Sequence, residues 1–97
     1  MLASACEINN LENLREFVIQ TLCQHDQLDQ DAFRMTEQVL LRCGKPCGIF
    51  FCLYGPRAVK FTAVWENEQN RILFYGPTGE RFHETRLAGP VELRHAA

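Results

Sequence analysis

Two hydrophobic periods divide this chain. In the first part, apolar side chains recur every three to four residues, which is typical of amphipathic helices. From Cys47 onward apolar and polar residues alternate, which is typical of half-buried strands. The pattern predicts an α+β fold of order ααββββ. In this fold a helical hairpin over 11–43 packs on one face of a four-stranded antiparallel meander over 47–87.

The length predicts a single domain over residues 1–97. Residues 1–8 carry no hydrophobic period, so we expect a frayed start, and residues 88–97 are expected to form a tail. The first residues lack the basic leader and apolar run of a signal peptide. No apolar run reaches the roughly 20 residues that a membrane-spanning helix needs. No membrane association is predicted.

The first helix is predicted over 11–24, with Asn9 as its N-cap three residues before Glu12. The second helix is predicted from Asp29 to about Cys43. Gly44 suits a left-handed C-cap and Pro46 prevents continuation. The short link favours antiparallel packing of the two helices.

Four strands are predicted at positions 48–54, 58–66, 71–75 and 80–87, separated by segments rich in turn-forming residues. The segment 54–61, Tyr-Gly-Pro-Arg-Ala-Val-Lys-Phe, is echoed 21 residues later by 75–82, Tyr-Gly-Pro-Thr-Gly-Glu-Arg-Phe. We interpret the echo as one kind of turn used twice. One echo is too little to indicate a repeat protein.

Turn lengths predict which side chains share a face of the sheet. A four-residue loop after Glu66 pairs Trp65 with Ile72, and a three-residue loop at 77–79 pairs Phe74 with Phe82. The first strand is apolar on both sides. An even-length turn after Tyr54 turns Phe50, Cys52 and Tyr54 toward the helices, whereas an odd-length turn would turn Ile49, Phe51 and Leu53 there instead.

With either turn, a triplet of large apolar side chains lies on the sheet face away from the helices, and these side chains form part of a large apolar patch there. Such a patch predicts a partner. The main functional prediction is a small non-enzymatic protein-interaction module that forms a homodimer, or binds another protein, through this outer face. The predicted interface residues are Ile49, Phe51, Leu53, Lys60, Val64, Arg71, Leu73, Tyr75, Arg81 and His83.

Two alternatives compete with the interaction module. The first is a ligand-binding or catalytic pocket between helices and sheet near Cys52, Tyr54 and Trp65. The second is weak single-stranded nucleic-acid binding by the basic and aromatic side chains of the sheet. The second is disfavoured by a sequence pI of about 5.9 and by the aliphatic character of the predicted patch.

No catalytic residue or cofactor is predicted. Cys52 and His83 have the chemistry of a nucleophile and a base, but the register predicts them on opposite faces. The metal-ligand candidates are Cys23, His25, Cys43 and Cys47. An antiparallel helix pair would hold Cys23 about a helix length from Cys43, so no metal site is predicted.

The five cysteines are an odd number in a chain that is 46% hydrophobic, so core formation does not need disulfides. We therefore expect reduced thiols and a cytoplasmic protein. The net charge of −2 conceals an asymmetry. Residues 1–40 carry seven acids and two bases, whereas residues 41–97 carry eight bases and five acids. The predicted helices are acidic and the sheet is mildly basic.

Overall fold

The computed structural model describes residues 8, 10–25, 34–89 and 91. Within them one helix precedes five strands, and the strands form a single antiparallel sheet in the order β1-β2-β3-β4-β5. The elements are α1 (Leu11–His25), β1 (Arg34–Arg42), β2 (Lys45–Tyr54), β3 (Lys60–Glu66), β4 (Arg71–Tyr75) and β5 (Arg81–Arg86). The α+β class is confirmed, but the predicted ααββββ order is wrong in its details.

The predicted second helix is replaced by β1 over positions 34–42, and positions 29–33 lie outside the described residues. Met35 and Val39 lie four residues apart, so they fit a helical stripe and also one face of a strand. Glu37 between them breaks the apolar alternation. Its carboxylate receives two hydrogen bonds from the Arg15 guanidinium of α1, at 2.6 and 2.7 Å. Glu37 can therefore face the core because it pairs with Arg15, which is distant in sequence.

Gly44 terminates β1 rather than a helix. Arg42 pairs with Lys45, and the two residues between them, Cys43 and Gly44, have φ values of 53° and 79°. Positive φ at both central residues is the requirement of a type I′ hairpin turn. The left-handed conformation expected at Gly44 is present, but it serves a β-hairpin.

Helix α1 forms where it was predicted. Its N-cap is Asn10, whose side-chain oxygen accepts a hydrogen bond from the backbone N–H of Asn13 at 2.8 Å. The predicted cap, Asn9, lies outside the described residues. The buried stripe of the helix is Leu11, Leu14, Val18, Leu22 and Cys23, each no more than 2% exposed.

The core lies between α1 and one face of the sheet. The sheet side of this core comes from three central strands, and every member is at most 1% exposed: Ile49, Phe51, Leu53, Phe61, Ala63, Trp65, Ile72 and Phe74. Phe17 of α1 meets the Phe74 ring edge-on, with centroids 6.2 Å apart. This is the helix face of the sheet; we call the opposite side the outer face.

The chain on either side of the main elements also contributes to the core. Ile8 is buried, so the prediction of a frayed start is wrong at that residue, while positions 1–7 lie outside the described residues. After β5, Leu87 is buried and Val91 packs against the core. The described start of the predicted tail therefore joins the helix side.

The register of β2 corresponds to the odd-length turn rather than the even-length one. Tyr54 pairs with Lys60, which leaves the five residues 55–59 between them, an odd number. As a result Ile49, Phe51 and Leu53 point toward α1, and Phe50, Cys52 and Tyr54 point outward. Sequence alone left both arrangements open because both sides of β2 are apolar.

The later strands follow the prediction until the last hairpin. Trp65 pairs with Ile72, as the four-residue loop required. In the next hairpin Tyr75 pairs with Arg81, and Phe74 pairs with His83 rather than with Phe82. Phe82 is the extra residue of a β-bulge. After this bulge, each side chain of β5 points to the face opposite to the one predicted.

Asn70 ties the β3–β4 turn to the segment after β5. Its side-chain oxygen accepts a hydrogen bond from the indole N–H of Trp65 at 3.0 Å, and its amide donates to the carbonyl of Gly89 at 2.6 Å. Its backbone carbonyl accepts from the N–H of Leu87 at 2.9 Å. The residue has a φ of 50°, a conformation that asparagine tolerates better than most residues.

Candidate functional site

The outer face carries a central apolar belt, which we define as Phe50, Cys52, Val64 and Leu73. Phe50 pairs with Val64, and Val64 pairs with Leu73, so these three side chains form one row across the sheet. All three are half-buried, and Cys52 beside them is 6% exposed. The belt is an apolar surface on the side of the sheet that α1 does not cover.

The predicted interface residues divide between the two faces. Six lie on the outer face: Lys60, Val64, Arg71, Leu73, Tyr75 and Arg81. The other four, Ile49, Phe51, Leu53 and His83, lie on the helix face, so their assignment to the outer face is wrong. The first three differ from the prediction because the turn after β2 has an odd number of residues. His83 differs because of the β-bulge at Phe82. Sequence reasoning missed Phe50 and Cys52 in the belt for the same reason.

At one end of the outer face, the charged side chains form ion pairs with one another. Arg71 forms an ion pair with Glu66 across the hairpin and a second with Glu84 at 3.3 Å, and Arg86 lies 3.6 Å from Glu84. The hydrogen bond that the Arg71 guanidinium donates to Glu66 is the largest cause that raises the pKa of Arg71 above its ordinary value. These four charges compensate one another, so Arg71 is not an open cation as the predicted interface required.

The other end of the outer face has a different character. A cation or a tyrosine projects from every strand in turn: Arg34 from β1, Tyr54 from β2, Lys60 from β3, Tyr75 from β4 and Arg81 from β5. Arg34 pairs with Tyr54, Tyr54 with Lys60, and Tyr75 with Arg81. We call these five residues the cation–tyrosine track.

The cations of the track have no carboxylate partner in the part of the chain that the structure describes. No acid of that part lies within 4 Å of the charged groups of Arg34, Lys60 or Arg81. The ammonium of Lys60 instead lies 5.7 Å from the centroid of the Tyr54 ring, within cation–π range. Tyr54 is 43% exposed, one of the two large apolar side chains most open to solvent among the described residues.

The track is the structural counterpart of the sequence echo. In each copy a tyrosine stands six residues before a cation, and the two are cross-strand partners: Tyr54 with Lys60, and Tyr75 with Arg81. In each copy the following phenylalanine packs on the core: Phe61 is buried and Phe82 half-buried. Sequence reasoning read the echo only as a repeated turn, although the tyrosine–cation spacing was visible in it.

The predicted alternative pocket is not assembled. Cys52 and Tyr54 point to the outer face, whereas Trp65 lies on the helix face and is 1% exposed. The three residues therefore cannot line one cavity. Cys52 and His83 do lie on opposite faces, as predicted, but each is on the face that was assigned to the other.

The metal-ligand candidates are also dispersed over different elements. Cys23 is buried on α1, and the imidazole of His25 stacks on the Phe82 ring with centroids 3.7 Å apart. Cys43 is exposed at the tip of the β1–β2 hairpin, and Cys47 lines a shallow depression of about 250 Å³ beside Leu40 and Glu66. Over the described residues, no group of three or more His, Cys, Asp or Glu side chains is placed to hold a metal.

Comparisons with protein-family models, curated proteins and solved structures found no match to this chain. The helix in the described part of the chain is not long and apolar enough to cross a membrane. The chemistry of the outer face is therefore the basis for a functional assignment.

Proposed function

We propose that this chain is a non-enzymatic protein-interaction module that self-associates through the outer face of its sheet. The observation that supports the proposal is the apolar belt. Phe50, Val64 and Leu73 form an unbroken row in the middle of the face that α1 leaves uncovered. A second copy presents the same belt, so a two-fold arrangement places apolar side chains against apolar side chains.

The dimensions of the sheet are compatible with a dimer that is weak and reversible. Five strands about 4.8 Å apart, each about seven residues long, give a face of about 19 by 23 Å. Two such faces bury roughly 900 Å², below the 1,200–2,000 Å² of stable complexes. If half of that area is apolar, the hydrophobic gain is roughly 11 kcal/mol. Association costs of about 4–15 kcal/mol offset most of it.

The charges of the outer face favour one orientation of the two copies. An antiparallel two-fold pair would place the cation–tyrosine track of one copy over the charge-compensated end of the other, where Glu66 and Glu84 are paired with Arg71 and Arg86. The opposite orientation would bring the unpaired cations Lys60 and Arg81 together with their own copies. Like charges placed together disfavour that arrangement, so the antiparallel pair is the expected one.

Self-association is tested by sedimentation equilibrium across the micromolar range. We expect the average mass to rise with concentration toward that of a dimer. Leu73→Ser places a hydroxyl in the belt and should hold the protein as a monomer. The matched control is Leu41→Ser, because Leu41 is 64% exposed at the end of β1 and lies outside the belt.

The contradictory result would be a wild-type protein that stays monomeric throughout the concentration range. Equal effects of Leu73→Ser and Leu41→Ser on mass would also overturn the role of the belt. Both variants are first compared with the wild type by circular dichroism, so that a loss of folding is not taken for a loss of association.

A further inference from the structure

We infer that the cation–tyrosine track is a binding site for single-stranded nucleic acid. The inference goes beyond the proposed function, because it uses Arg34, Tyr54, Lys60, Tyr75 and Arg81 rather than the apolar belt, and it does not require a dimer. It rests on three features of the described structure: the spacing of the cations, the exposure of the rings, and the alternation of the two.

The cations stand on every second strand. Arg34 is on β1, Lys60 on β3 and Arg81 on β5. Arg34 and Lys60 share one cross-strand row and are about 10 Å apart, whereas Arg81 is offset by two residues along the strands and lies about 12 Å from Lys60. With no acid within ion-pair distance in the described residues, all three are available to an external anion. A row of cations across a sheet suits a linear polyanion that crosses the strands.

The tyrosines stand between the cations. Tyr54 lies between Arg34 and Lys60 in one cross-strand row. Tyr75 pairs with Arg81 on one side and with Thr62, two residues after Lys60, on the other. Aromatic side chains that alternate with basic ones are the typical arrangement for unpaired bases, since rings stack on bases while cations neutralise phosphates. The exposed face of Tyr54 is the better platform, because Tyr75 is half-buried.

The corrected register of β2 weakens one of the two arguments against this function, the aliphatic character of the predicted patch. The patch predicted from the sequence presented Ile49 and Leu53 to solvent, which offer no stacking surface. The structure buries both of them and turns Phe50 and Tyr54 outward instead. Stacking requires unpaired bases, so the expected ligand is a single strand rather than a duplex.

The experiment is a fluorescence anisotropy titration of a labelled oligothymidine of about 15 nucleotides, a length within the range that single-strand binding folds cover. If three phosphates are neutralised, log K should fall with log salt concentration with a slope of about −2. Lys60→Ala should weaken binding and bring the slope to about −1.4. Tyr54→Ala should weaken binding by about 5- to 150-fold at an unchanged slope.

The matched control is Arg42→Ala. Arg42 is also an exposed arginine of β1, but it lies at the opposite end of the sheet, 4.0 Å from Glu68. Its replacement changes the net charge by the same amount as Lys60→Ala and should leave the affinity within about twofold, since one distant, partly compensated charge is largely screened.

Several results would overturn the inference: no binding at low salt, equal binding of a duplex of the same length, equal losses for Arg42→Ala and Lys60→Ala, or binding only to anionic lipid vesicles. Mass measurements on the same samples separate this inference from self-association. A protein that stays monomeric across the micromolar range without the strand, and binds the strand, supports the track and contradicts the dimer. A protein that dimerises at high concentration, but binds no strand at concentrations where it is monomeric, contradicts the track alone.

Discussion

At the scale of single residues, Asn70 connects three parts of the fold outside the sheet ladder: Trp65, the β3–β4 turn and the segment after β5. One side chain accepts from Trp65 and donates to the chain after β5, and the left-handed backbone of the same residue closes the β3–β4 turn. Trp65 and Leu87 are both buried, so Asn70 satisfies a polar group at the edge of the core. None of these partners is adjacent in sequence, which is why no local pattern indicated the role.

Asn70→Ala should lower the free energy of unfolding by about 2–4 kcal/mol. Loss of the acceptor for the buried indole N–H costs about 1–3 kcal/mol, and alanine in a left-handed conformation adds about 1 kcal/mol. Urea denaturation followed by circular dichroism measures the change. Asn67→Ala in the same turn, where the side chain is exposed, is the control and should fall within about 0.5 kcal/mol of wild type. Equal effects of the two substitutions would contradict the role of Asn70.

Glu80, in the β4–β5 turn, has a lowered pKa. The largest cause is the hydrogen bond from the Thr78 hydroxyl, which stabilises the charged carboxylate. A lowered folded-state pKa stabilises the fold above the ordinary value of 4.5, and that contribution is lost as the pH falls through the folded-state pKa. In Thr78→Val the pKa should rise toward its ordinary value, as measured by NMR titration of the carboxyl group. An unchanged titration curve would contradict this assignment.

At the scale of elements, the structure shows why some strands were predictable and one was not. Strands β3 and β4 combine a clear alternation with a four-residue loop, so their register followed from the sequence. Strand β1 carries Glu37 at a core-facing position, and Arg15 of α1 compensates that charge. A pattern that depends on a partner 22 residues away has no local signature.

The two Gly-Pro turns form a natural comparison at this scale. In each turn a glycine N–H donates to the carbonyl four residues later: Gly55 to Val59 at 2.8 Å, and Gly76 to Glu80 at 2.9 Å. In both turns, the residue before the one whose carbonyl accepts this hydrogen bond has a left-handed backbone conformation. It is Ala58 with a φ of 63° in the first and Gly79 with a φ of 87° in the second.

Ala58→Gly should therefore stabilise the protein by up to about 1 kcal/mol, because glycine adopts this conformation without the steric cost that alanine has. Gly79→Ala should have the opposite sign and lower the free energy of unfolding by about 1 kcal/mol or more. Thermal and urea denaturation of the two variants provide the measurement. If both substitutions shifted stability in the same direction, the left-handed conformation assigned to both Ala58 and Gly79 would be contradicted.

At the scale of the whole molecule, the chain separates stability from surface chemistry. One face of the sheet and α1 form the core, and the other face carries the belt, the ion-pair cluster and the track. Composition and alternation predicted a sheet with one face in the core and a second face left uncovered. They did not predict which side of β2 faces solvent, since that depended on a turn with an odd residue count, or where His83 points, since that depended on a bulge. The homodimer and the cytoplasmic location stay predictions.

The order β1-β2-β3-β4-β5 has a consequence for the way this chain folds. Every strand pairs with its neighbour in sequence across a connection of two to five residues, so the sheet consists of local contacts that close quickly. Docking of α1 on β2 and β3 is the step that joins distant parts of the chain. If hairpins form first, a truncation such as Leu14→Ala in α1 should mainly accelerate unfolding, whereas Phe61→Ala in β3 should mainly slow refolding. Stopped-flow kinetics of the two variants would show the order, and a larger refolding effect for Leu14→Ala would reverse it.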